Sequence, residues 1–168
     1  YGADVNIPDS RGVTPLTLAI KERDRATVEV LLAHNPNVDA QDENGCTALY
    51  HAVSSPYWSD HDIVDLLLRR GANISIRDNN NNETLLTASV HNGFSVEDVK
   101  LLLKYGADVN ASGRTGSTAI HAAVQRGDLQ IIKILLQNNA EVDARSNWED
   151  TALFLVILVI PELWSANT

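Results

Sequence analysis

The chain has 168 residues, 44% of them hydrophobic, with 13 basic and 22 acidic side chains that leave a formal charge of −9. That length is ample for one core, and such an acidic surface repels phosphate backbones, which argues against nucleic acid and favours a basic or mixed polar partner. Cys46 is the single cysteine, so an internal disulfide and a metal cluster built from several cysteines are both excluded.

In chain order, the first feature is the phrase YGADVN at residues 1–6, which returns unchanged at residues 105–110. Weaker copies of its turn begin at Asn35, Gly71 and Asn139, so the steps between the five turns are 33, 36, 35 and 33. A second phrase keeps its place in each period, as GVTPLTLA from Gly12, GCTALYHA from Gly45, NNETLLTA from Asn81, GSTAIHAA from Gly116 and EDTALFLV from Glu149. Two phrases in fixed register mean a repeat architecture, in which each unit stacks on its neighbours to bury its apolar face.

Each period reads as two short helices. Thr14, Thr47, Thr118 and Thr151 are expected N-caps, with Pro15 at a first helical position where its missing N–H costs nothing. Small or aliphatic residues follow at helical spacing (Leu16, Ala19, Ile20; Leu49, Ala52, Val53; Ile120, Ala123, Val124) and mark the first helix of each pair. The apolar runs at residues 28–32, 63–68, 99–103 and 131–136 mark the second, ended by Gly71 and Gly106 or by Asn35 and Asn139, residues that adopt the left-handed conformation. The third copy departs most, with Asn81 where most copies have Gly and Glu83 where they have Thr, although Thr84 or Asn82 would cap after a shift of one residue. We therefore expect faster amide exchange over residues 79–86 than over the matching segment of the fourth copy. The second and third copies also carry three and two extra residues, placed between their helices, where Tyr57, Trp58 and Phe94 form either a packed aromatic cluster or a second partner-binding ridge.

Residues 11–16 (RGVTPL) and 118–123 (TAIHAA) carry a resemblance to the ankyrin-repeat family that extends from Tyr1 to about Val156. The resemblance implies an all-α solenoid of stacked helix-turn-helix units with short β-hairpin-like turns. Its divisions are a tail at 1–8, repeats at 9–41, 42–77, 78–112 and 113–145, and a partial, atypical repeat at 146–168. Residues 1–6 then read as the end of a repeat whose helices lie upstream, so a longer array is expected. The apolar run 153–160 is too short to cross a membrane. It is either covered by Trp164 and the last residues or buried against another molecule, which would make an otherwise monomeric chain self-associate.

Little in the pattern points to chemistry. The five histidines fall at no catalytic spacing, the family phrase assigns His121 a structural hydrogen bond across the turn between repeats, and the glycines fall at repeat turns rather than in a phosphate loop. The stretches DENG at 42–45 and DNNN at 78–81 lack the later ligands of a calcium loop. The triplets at Asn73, Asn82 and Asn110 match glycosylation acceptors but are ordinary turn composition. No catalytic residue, cofactor or metal is expected, and the cytoplasm or nucleus is the expected location.

The resemblance implies a non-catalytic scaffold that binds a protein or peptide along a concave face of turn tips and first helices. Alternatives are a spacer or spring within a larger chain, and a substrate-recruiting module of a multidomain enzyme, such as a ubiquitin-ligase adaptor or a bacterial effector. The candidate contacts are Arg11 and Val13, Glu43 and Asn44, Asn79 and Asn80, Arg114 and Thr115, Arg126 and Trp148, with Tyr57 and Trp58 on the inserted loop. Trp and Arg rank first among them because they dominate interface energetics; packing over the last repeat is the competing role for Trp148. Positions such as Lys21, Glu22, Val90, His91 and Gln125 are expected on the exposed side of the first helices. The family's turn-asparagine hydroxylation maps onto Asn6 and Asn110.

Overall fold

The computed structural model describes residues 4–54, 61–79, 82–93, 95–147 and 151–152. Within them lie four helical pairs: α1 (Pro15–Lys21) with α2 (Arg25–Leu32), α3 (Ala48–Ser54) with α4 (His61–Arg69), α5 (Leu85–Asn92) with α6 (Val96–Lys104), and α7 (Ala119–Arg126) with α8 (Leu129–Gln137). Local chemistry sets their bounds. Thr14, Thr47 and Thr84 accept the Thr17, Tyr50 and Thr87 N–H groups through their hydroxyls, and the Ser95 hydroxyl and the Asp24 and Asp128 carboxylates cap the second helices. The pairs end on left-handed residues at Asn35, Gly71, Gly106 and Asn139, as their composition predicts.

The core is a stripe running through the stack. Leu16, Ile20, Leu49, Val53, Leu86, Val90, Ile120 and Val124 are fully buried on the first helices, and Val28, Val64, Leu67, Val99, Leu102, Ile132 and Leu135 on the second. The substantial helix contacts join partners within a pair and like helices of adjacent repeats, as a solenoid requires. Among the described residues β structure is confined to two isolated bridges, Arg77 with Thr84 and Arg145 with Thr151.

The third repeat is shifted by one residue, the alternative that Thr84 offered in the sequence. Thr84, not the position of Glu83, is the cap, and Asn82, with φ 51°, takes the left-handed place that Gly12, Gly45 and Gly116 hold elsewhere. Val90 consequently matches Ile20 and is buried rather than exposed. The two extra residues of this repeat are also divided. One lengthens the tip, since Asp78 precedes its cap by six positions where Asp9 and Asp42 precede theirs by five; the other follows Gly93, between the helices. The three-residue insertion of the second repeat does fall between α3 and α4, and Tyr57 and Trp58 within it, like Phe94, lie outside the described residues.

Successive repeats are clamped at their turns. The Asn6 side-chain oxygen accepts the Asn37 N–H at 2.6 Å, Asp39 accepts that of Asn73 at 2.7 Å, and Asn110 accepts that of Glu141 at 2.8 Å. Ser75 stands at the matching place in the turn leading into the third repeat, where Arg77 instead donates to the Asn82 and Ser112 carbonyls at 2.8 and 2.6 Å. A small cavity of about 150 Å³ lies at this seam, bounded in part by Ile74, Ser75 and Asp108.

Candidate protein-binding face

The tips form tight hairpin-like turns. Asp9 and Asp42 each use one carboxylate oxygen to accept two backbone N–H groups, from Arg11 and Val13 and from Asn44 and Cys46, at 2.8 to 3.0 Å. These bonds from Val13 and Arg11 hold the Asp9 carboxyl below its usual range. Neighbouring tips are then tied to one another: the Glu43 N–H donates to the Arg11 carbonyl at 2.9 Å, Asn79 to Asn44 at 2.9 Å, and Asn147 to Thr115 at 2.8 Å. Backbone geometry thus sets the spacing of side chains contributed by different repeats.

Arg11, Glu43, Asn44, Asn79, Arg114 and Thr115 are exposed on this row of tips. Val13 is not. At 7% exposure it fills the space beneath the first tip, which removes it from the candidate contacts. Asn80 and Trp148 lie outside the described residues. Arg126 is exposed at the end of α7 but reaches back across the seam, where Nη1 donates to the His91 carbonyl at 3.2 Å and the guanidinium lies over Gly93. The Arg11–Asp9 ion pair, at 3.5 Å between half-exposed groups, contributes little to stability.

Between the third and fourth repeats the face deepens into a pocket of about 240 Å³, lined by Glu83, Thr87, His91, Arg114, Thr115 and Gln125 among others. Glu83, mostly buried, meets exposed His91 at 3.3 Å. This pair escapes a linear reading because its members are eight positions apart and the one-residue shift moves Glu83 from a cap position to the groove wall.

A second cluster sits beneath the tip of the second repeat. The remaining oxygen of Asp42 meets His51 Nε2 at 2.8 Å, and Cys46 Sγ lies 3.8 Å from the Asn44 carbonyl. Burial would raise the Asp42 carboxyl, but the hydrogen bonds from His51, Cys46 and Asn44 outweigh it and hold the group below its usual range. Burial, chiefly, pushes His51 down, so the ring is neutral at pH 7 and donates its Nε2 proton to the carboxylate. Burial, reinforced by the Asp42 and Asp78 charges, pushes the Cys46 thiol up to about 11, which makes it a poor free nucleophile. In the fourth repeat His121 is buried and Nδ1 meets the Thr118 hydroxyl at 2.9 Å and its N–H at 3.3 Å, a capping arrangement within its own repeat.

A family model described as ankyrin repeats in three copies matches residues 1–78 and 57–146. The chain belongs to the ankyrin-repeat family. It is 35% identical over 158 residues to the B-cell lymphoma 3 protein homolog of Mus musculus, covering 92% of this chain and 34% of that protein. It is 32% identical over 149 residues to the nuclear factor NF-kappa-B p105 subunit of Gallus gallus, with 86% and 15% covered. It is 33% identical over 141 residues to ankyrin repeat and SOCS box protein 6 of Pongo abelii, with 80% and 33% covered. The chain therefore spans about a third or less of the length of these curated relatives. Ankyrin repeats are generally protein-interaction modules and typically non-enzymatic, and no helix among the described residues is long and apolar enough to cross a membrane.

Proposed function

We propose that this ankyrin array is a non-catalytic recognition module that holds a partner protein or peptide along the concave face, inside the cell. The observation that carries the reading is the ladder of backbone hydrogen bonds linking one tip to the next through Arg11, Asn44 and Thr115. Side chains presented from such a frame are ordered before the partner arrives, so little conformational entropy is lost on binding. Exposed Arg114, Thr115, Glu43 and Asn79 are the primary contacts, Arg11 is secondary, and Arg126 shapes the pocket wall. The net acidity favours a partner segment of basic or mixed polar character.

The test is binding to a partner captured by the intact chain, repeated with Glu43→Ala and with the Arg114→Ala/Thr115→Ala double variant. Hot-spot truncation typically costs about 1 to 4 kcal/mol of affinity. We expect weakening of that order with an unchanged melting temperature. Undiminished affinity in all variants would remove the tips from the binding surface.

A further inference from the structure

We propose that Asp42, Cys46 and His51 form a binding site for one divalent ion of zinc type, on the concave rim of the second repeat. Their ligand atoms, a carboxylate oxygen, a sulfur and an imidazole nitrogen, all lie within 4.8 Å of one another. Tetrahedral zinc, with bonds of about 2.3 Å to sulfur and about 2.0 Å to nitrogen and oxygen, separates its ligand atoms by roughly 3.3 to 3.6 Å. The 2.8 Å contact between His51 and Asp42 would open by about half an ångström and the thiol would swing inward by about one, both within the reach of side-chain torsions. A mixed sulfur, nitrogen and oxygen set suits zinc better than magnesium or calcium.

The repeat fold calls for the tip carboxylate but not for Cys46 or His51. Asp9 builds the first tip with the same two N–H bonds and no histidine beside it. Counted from the helix caps, the place of Cys46 is held by Val13, Glu83 and Ser117, and that of His51 by Leu18, Ala88 and Ala122. Asp42 Oδ1 is committed to the tip, which leaves Oδ2 to face the imidazole. Asp78, to which the Tyr50 hydroxyl donates at 3.4 Å, adds negative charge near the sulfur, and Lys21 is the cation that opposes it. Cys46 and Asp42 are buried while His51 is one-fifth exposed, so an ion would reach the cluster from the histidine side. On binding, Cys46 gives its thiol proton to solvent, and the imidazole keeps one proton by moving it from Nε2 to Nδ1.

Cobalt(II) is the probe. The full chain, stripped with a chelator and titrated with Co²⁺, is expected to develop a thiolate-to-cobalt charge-transfer band in the near ultraviolet. Visible bands of tetrahedral intensity should accompany it and saturate at one ion per chain, and Zn²⁺ should displace them all. Cys46→Ser should abolish the charge-transfer band, and His51→Gln should weaken binding by at least about tenfold, since even outer-shell losses reach that size. Both variants leave the Asp42 tip bonds in place, so each is expected to keep the parent's helical circular dichroism whether or not the ion binds. Absence of the band with cobalt in large excess, or unchanged affinity in His51→Gln, as for an adventitious thiol complex, would overturn the proposal.

Discussion

The third and fourth repeats make the same helical pair by different means. In the fourth, Gly116 turns the tip, the cap is Thr118 with His121, and Asn110 in the turn leading into the repeat clamps the turn that follows it. In the third, the tip is one residue longer, Asn82 takes the left-handed place, Thr84 caps one position late, and the turn leading into the repeat has Ser75 where the clamp would be. Yet α5 packs along α7 more extensively than any other described helix pair packs. The comparison teaches that inner-helix packing tolerates a shift in register so long as a cap and a left-handed residue shift with it, whereas the turn side pays no such attention to packing and depends on individual hydrogen bonds.

The largest expected effect tests the equality of the two cores. Leu86→Ala and Ile120→Ala each remove a fully buried side chain and should each cost about 3 kcal/mol in chemical denaturation. A loss at Leu86 less than half that at Ile120 would break the claim that the shifted helix packs as well as the regular one.

The tips should differ more. A Cβ at Gly116 would lie 2.9 Å from the Asn147 backbone nitrogen at φ 72°, so Gly116→Ala is expected to cost about 2 kcal/mol through clash and left-handed strain. Asn82→Gly relieves strain in the third tip and should stabilise by a few tenths to about 1 kcal/mol, visible as a raised melting temperature. Destabilisation by Asn82→Gly would show that the asparagine side chain, not merely its backbone conformation, holds the longer tip.

The smallest effect sharpens the contrast at the seam. Ser75→Asn supplies an acceptor of the length that serves at Asn6 and Asn110, and should stabilise by about 0.5 to 1 kcal/mol. Hydrogen exchange reads it directly: amides of residues 82–86 should exchange faster than those of 116–120 in the parent chain, and the substitution should slow exchange around Asp108. Equal protection of the two segments in the parent would remove the distinction between the repeats.

Much of the fold was legible because its determinants are local. A threonine cap, a proline at the first helical position and a left-handed Gly or Asn carry their conformational meaning wherever they stand, and Thr14, Pro15, Asn35 and Gly106 behave accordingly. The shift in the third repeat was open in the sequence, where Thr84 and Asn82 both stood as caps; in the fold Thr84 is the cap and Asn82 the left-handed turn residue. Exposure was less legible, because it depends on what the next repeat lays over a residue: Val13 and Val90 are covered, and Glu83 turns into the groove. The pairing of Asp42 with His51 spans nine positions and arises only when the tip folds back over the start of α3.

The seam at Ser75 has a mechanical consequence. The cavity beside Ile74 and the pocket between Glu83 and Arg114 both border the third repeat, so a change in its angle to the fourth would alter the pocket's width. A ligand wedged in that pocket would hold these two repeats at one angle, turning a local fit into a fixed orientation between neighbours.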